Sequence, residues 1–193
     1  MDDFILYFKM GLTHVLDFSA YDHILFLIVL AVIFNNFQWR KVVWLVTLFT
    51  LGHSITLALS AYKILEIRMD LIEFLIPLTI FITGLINIIT AKKEPTKKGN
   101  INLVLALFFG LIHGLGFSNY FKMMIGKEED KLFPLIEFAL GIEVAQIIIV
   151  LGILIIGLLL KTFLKVQRRD WVLVTSSIVI GFSIQMMLER VFW

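Results

Sequence analysis

Long apolar runs alternate with short polar connections along this chain. A helix needs about 20 apolar residues to cross the hydrocarbon core of a bilayer. Six runs approach that length: residues 20–36, 42–62, 71–91, 101–121, 132–160 and 171–192. The fifth is long enough to tilt or to project from the membrane. Residues 4–18 are also apolar, but the run is short and carries Lys9, His14 and Asp17. Joined to the first run, it would make a helix of roughly 50 Å at about 1.5 Å per residue, too long for one crossing. Ser19, with Asp22 three residues later, has the form of a capping box and starts a helix at Ser19. The pattern predicts an all-α polytopic membrane protein. Six transmembrane helices and a short N-terminal interfacial or re-entrant helix form one bundle over residues 1–193. One long bent helix through residues 4–36 is the alternative.

Composition agrees with a membrane chain. Of its residues 60% are hydrophobic and 17% charged, with mean hydropathy +0.95. Soluble domains are nearer half apolar and a quarter charged. There is no cysteine, which excludes disulfides and thiolate metal ligands. Any metal must bind through His, carboxylate, Met, amide or backbone oxygen. A net charge of +2 is too small to imply a nucleic-acid partner. The implied surroundings are lipid. The opening MDDFILYFKM begins with acids rather than a basic stretch, so no cleaved signal peptide is expected.

Loop charges give an orientation. Arg40, Lys41, Lys92, Lys93, Lys97, Lys98, Lys161, Lys165, Arg168 and Arg169 gather on one side, with only Glu94 and Asp170 against them. Asp2, Asp3, Glu66, Asp70, Glu128, Glu129 and Asp130 gather on the other. Basic loops stay cytoplasmic. With an even span count the expectation is that both termini lie outside, in the periplasm if the source is a two-membrane bacterium.

Candidate chemistry lies inside these runs. The four histidines His14, His23, His53 and His113, together with Asp22 and Glu143, occupy or border apolar segments. A charged side chain at the bilayer centre costs roughly 2.5–3.5 kcal/mol on insertion scales. His53 and His113 each lie twelve residues along outward-running spans, so both sit about 18 Å from the inner face. Glu143 enters from the opposite side, and Asp22 and His23 lie near the outer end of their span. The candidate ligands therefore converge on the outer half of the membrane. Imidazole with carboxylate suits zinc, nickel, cobalt or iron. The plain alternative for each histidine is a hydrogen bond between helices, worth about 0.6 kcal/mol on average. Gly52, Gly110, Gly114 and Gly116 beside two of the histidines fit close helix packing, or a broken helix lining a cavity. Pro77 and Asn87 suggest a mild kink and a polar interior contact, and Trp39, Trp44, Trp171 and Trp193 read as interfacial anchors.

Four blocks, GLTHVLDFSAYDHILFL, FTLGHSITLAL, FFGLIHGLGF and FALGIEVAQ, together resemble the HupE/UreJ family of small bacterial membrane proteins. Seven residues separate His14 from Asp22, and His113 stands alone in its segment, so the chain is similar to the second branch of that family. The resemblance implies a nickel- or cobalt-type permease. It carries His14, Asp22, His23, His53, His113 and Glu143 into the metal path, with Ser54, Thr56, Glu73 and Gln146 as supporting groups. Two other functions share this inventory. One is an intramembrane zinc-dependent hydrolase, with Asp22 or Glu143 as general base and Ser54 orienting substrate. The other is a metal-binding accessory protein without turnover.

Overall fold

The apolar runs fold as helices, because in hydrocarbon each backbone group must find its partner within its own segment. The computed structural model describes residues 2–17, 21–34, 38–92, 100–126 and 130–193, and among these there are seven helices and no strand. They are α1 (Asp2–Leu16), α2 (Asp22–Ala31), α3 (Trp39–Ala61), α4 (Met69–Thr90), α5 (Asn100–Ile125), α6 (Leu132–Phe163) and α7 (Arg168–Glu189).

Five helices are long and apolar enough to cross a membrane: Trp39–Ala61, Met69–Thr90, Leu103–Ile125, Leu132–Phe163 and Arg168–Glu189. Among the described residues the expected sixth span is not confirmed. Within the run expected to span at 20–36, the described helix is the ten-residue α2, about 15 Å long. Its uninterrupted apolar stretch after Asp22 and His23 covers only residues 24–34, with Asn35 and Asn36 beyond. Ser19, the expected cap, lies outside the described residues, and the described helix begins at Asp22 with no side-chain cap. The separate N-terminal helix exists as α1.

A ten-residue helix is tolerated here because it is enclosed. Asp22, His23, Leu25, Phe26, Leu27, Val29, Leu30 and Ala31 are all buried. Phe26 stacks on Phe49 of α3 and meets Phe109 of α5 edge-on. Asn87 of α4 is buried and donates through Nδ2 to the Val29 carbonyl (2.7 Å), the polar interior contact its position suggested. At the far end of α2 the Arg168 guanidinium donates to Ile33 O (3.0 Å) and to Ala91 O (3.4 Å). One cation thus satisfies terminal carbonyls of two helices.

Glycines set two close helix pairs. A Cβ on Gly110 would collide with the Phe49 carbonyl, and one on Gly114 with the His53 carbonyl. The pairings 49 with 110 and 53 with 114 mean that α3 and α5 rise side by side in the same direction. Similarly, a Cβ on Gly11 would strike the Phe138 carbonyl and one on Gly141 the Phe8 carbonyl, which locks α1 backbone-to-backbone against α6. The helix α5 runs unbroken past Gly110, Gly114 and Gly116. The interruption lies instead between α1 and α2, around Asp17 and Tyr21.

Candidate metal centre

Each histidine is delivered by a local feature of the chain. His14 sits in the last turn of α1 and His23 in the first turn of α2, so the interruption between these helices folds one toward the other. His53 and His113 reach the same level because the glycine seam aligns α3 with α5. The ring centroids of His14 and His23 are 4.6 Å apart, those of His14 and His53 5.8 Å, and those of His23 and His53 5.9 Å. One potential ligand atom from each of these three lies within 4.8 Å of the others. His113 adjoins them, its ring centroid 5.4 Å from that of His23.

The hydrogen bonds decide what each ring offers. Asp22 Oδ1 accepts from the backbone N–H of His23 (2.9 Å) and stands 3.0 Å from His23 Nδ1. Nδ1 therefore carries the proton, and Nε2 of the neutral ring holds a lone pair. His113 Nδ1 stands 2.9 Å from the Phe109 carbonyl and is fixed in the same way. The Nε2 atoms of His14, His23, His53 and His113 are buried without a hydrogen-bond partner, and so is His53 Nδ1. His53 is completely enclosed. An unsatisfied buried polar atom costs about 1–3 kcal/mol. Several such nitrogens gathered at one point fit a divalent transition ion, since neutral imidazole is its usual protein ligand. A carboxylate behind a ligating histidine fixes its ring and raises its basicity, which is the relation of Asp22 to His23.

A cavity of about 1070 Å³ leads to this point. His14, His23 and His113 are among its lining, and the fully enclosed His53 is not. Asp17, Asp22, Glu73, Arg190, Phe117 and Tyr120 form the rest of the vestibule that matters for charge and shape. Three carboxylates face one guanidinium, which favours cations in the cavity. Arg190 Nη1 lies 3.7 Å from Asp22 Oδ2 and 3.4 Å from the Glu73 carbonyl.

The remaining expected residues are placed as follows. Asp22 reaches the site through His23 rather than as a member of the three-histidine group. Glu143 stands apart from that group and accepts the Thr47 hydroxyl on Oε1 (2.6 Å). Gln146 accepts the Thr50 hydroxyl (2.9 Å). Ser54 is half-buried beside His53 and is not on the vestibule wall. The Thr56 hydroxyl returns to its own helix, 3.1 Å from the His53 carbonyl. Arg190, Asp17, Thr47 and Thr50 were not among the expected site residues. A lone arginine at the end of the last apolar run, away from the basic loops, was the available sign for Arg190.

The family model described as HupE / UreJ protein matches residues 1–190. The chain belongs to the HupE/UreJ family. Neither the curated proteins nor the solved structures contain a match to this HupE/UreJ member. Membership and the five long apolar helices together make it a multi-pass membrane protein. The match covers both the α1–α2 break and the α3–α5 seam, the two features that assemble the histidines.

Proposed function

We propose that this HupE/UreJ member is a divalent transition-metal permease of the nickel or cobalt type. The observation that carries the reading is the set of buried, unpartnered imidazole nitrogens beside an acidic vestibule. The family's general association with nickel and cobalt handling supports it. Under this reading the basic loops are cytoplasmic, the protein lies in the bacterial inner membrane, and the vestibule opens outward. Asp17, Asp22 and Glu73 raise the local concentration of cations. The ion exchanges water for Nε2 of His14, His23 and His53, with Asp22 holding the His23 ring and His113 alongside. The zinc option of the same ligand set is a question of which ion is selected.

Uptake into proteoliposomes tests this. Vesicles carrying the wild-type protein should accumulate nickel or cobalt faster than empty vesicles, and His53→Ala should remove the difference. Wild-type vesicles that accumulate neither ion would rule the permease out.

One observation favours a second reading, a zinc-dependent membrane hydrolase. The vestibule, about 1070 Å³, is as large as pockets that hold whole organic ligands. Three histidines would leave a position for an activated water. Against it, Asp22 already serves His23 and Arg190, and Ser54 is off the vestibule wall.

A further inference from the structure

Beneath the histidines, four helices step inward through the same three layers. On α3 the order is His53, Phe49 and Leu45, and on α5 it is His113, Phe109 and Leu105. Intervals of four keep each triplet on one side of its helix. On α2, which runs the other way, the order is His23, Phe26 and then Leu30. On α4 it is Ile76 beside the vestibule, Ile80, and then Thr83 and Asn87. The first layer holds the histidines. The third surrounds a separate cavity of about 30 Å³, whose lining includes Leu30, Leu45, Thr83, Asn87 and Phe109. Leu45 lies eight residues before His53 on α3, about 12 Å nearer the basic end of the bundle.

The middle layer is closed. Phe26 stacks on Phe49 with ring centroids 4.8 Å apart, and Phe109 stands edge-on to Phe26 at 6.0 Å. The His113 ring is 5.2 Å from Phe26 and 5.1 Å from Phe49, so this aromatic layer lies directly against the histidine centre. Phe26, Phe49 and Ile80 are fully buried and Phe109 nearly so. Their side chains offer an ion no oxygen or nitrogen, and an apolar constriction of this kind stops ions by excluding water. Polar groups return below it. The Thr83 hydroxyl donates to the Thr79 carbonyl (2.8 Å), and its oxygen retains acceptor capacity. A cavity of that volume, with Thr83 and Asn87 on its wall, is large enough for one water.

We propose that Phe26, Phe49 and Phe109, backed by Ile80, are the inner gate of the ion's path, and that the cavity beside Thr83 and Asn87 is the first stop beyond it. The gate rests on the permease reading above. That reading needs a way inward from the histidines, and the order of vestibule, aromatic layer and second cavity supplies its direction. His23 and Phe26 are three residues apart on the ten-residue α2. Less than one helical turn separates them, so a displacement of this helix moves a metal ligand and a gate ring together. Release of the ion from His23 and opening beneath it are thereby one motion.

The chain has no cysteine, so a single introduced thiol reports its own surroundings. The probe is a membrane-impermeant, permanently charged methanethiosulfonate carrying a trimethylammonium group. It is applied to spheroplasts and to inverted vesicles that contain the full chain. Glu73→Cys, in the vestibule, shows by its reactivity which side the vestibule faces. Thr83→Cys is then labelled from that side. It should react about tenfold more slowly than Glu73→Cys or slower still, and adding Phe49→Ala should remove most of the difference. Phe26→Val is the milder truncation, and it keeps the test valid should Phe49→Ala fail to fold. A Thr83→Cys chain that reacts as fast as Glu73→Cys with all three rings in place overturns the gate. So does labelling that neither truncation accelerates. Nickel uptake separates the two readings. Wild-type vesicles that take up no nickel overturn the permease alone, and the labelling still decides whether the three rings are the barrier.

Discussion

Replacing His53 by leucine should make the metal-free protein more stable, not less. His53 is fully enclosed, and neither ring nitrogen has a hydrogen-bond partner. Beyond the neighbouring rings of His14 and His23, the rings of Phe49 and Phe138 each stand 6.4 Å away by centroid. Without an ion, the imidazole bears an unmet desolvation cost of about 1–3 kcal/mol. Leucine fills a similar volume and carries no polar atom. For a chain of this size each 1 kcal/mol moves Tm by about 2–4 °C, so the metal-free variant should melt about 2–12 °C above wild type. Nickel should reverse the order. At a hundredfold excess over Kd it adds about 2.7 kcal/mol to a protein that binds it, and nothing to one that does not. The assay is thermal unfolding in detergent followed by tryptophan fluorescence, with chelator and then with nickel. A metal-free variant that melts below wild type, while nickel shifts both equally, would refute the reasoning. It would mean that the His53 nitrogens are satisfied within the protein.

Three further outcomes follow from the geometry. Asp22→Asn removes the charge behind the His23 ring and should weaken nickel binding about 10–100-fold by calorimetric titration, with the helical content unchanged. Gly114→Val drives a side chain into the His53 carbonyl; the strain should cost about 1–3 kcal/mol, and the purified protein should lose its retained nickel by elemental analysis. Arg168→Ala frees the Ile33 and Ala91 carbonyls at the opposite end of the bundle; Tm should fall while nickel affinity stays at the wild-type value.

The common level of His53 and His113 was readable from residue counts, because α3 and α5 are regular, adjacent and parallel. The glycines beside those histidines marked that contact for the same steric reason. The extent of α2 was not legible because hydropathy rises equally for a helix bathed in lipid and for one enclosed by protein. Only the second can stop after ten residues. That Asp22 adjoins His23 was visible from the sequence. Its role in orienting the ring depends on a side-chain direction that sequence does not carry. The partners of Glu143 and Gln146 lie 96 residues away on another helix, and no local pattern announces such a meeting.

The enclosure of α2 also constrains how the chain is made. Its neighbours α4, α6 and α7 are synthesised after it, the last of them beginning at Arg168. When α2 leaves the ribosome, the helices that will surround it do not yet exist, and ten residues are too few to settle across a bilayer unaided. The enclosure of the segment with His23 is therefore completed only as these later helices are made. A chain cut short before Arg168 would leave α2, and with it His23, incompletely enclosed, and such fragments are natural targets for quality-control proteases.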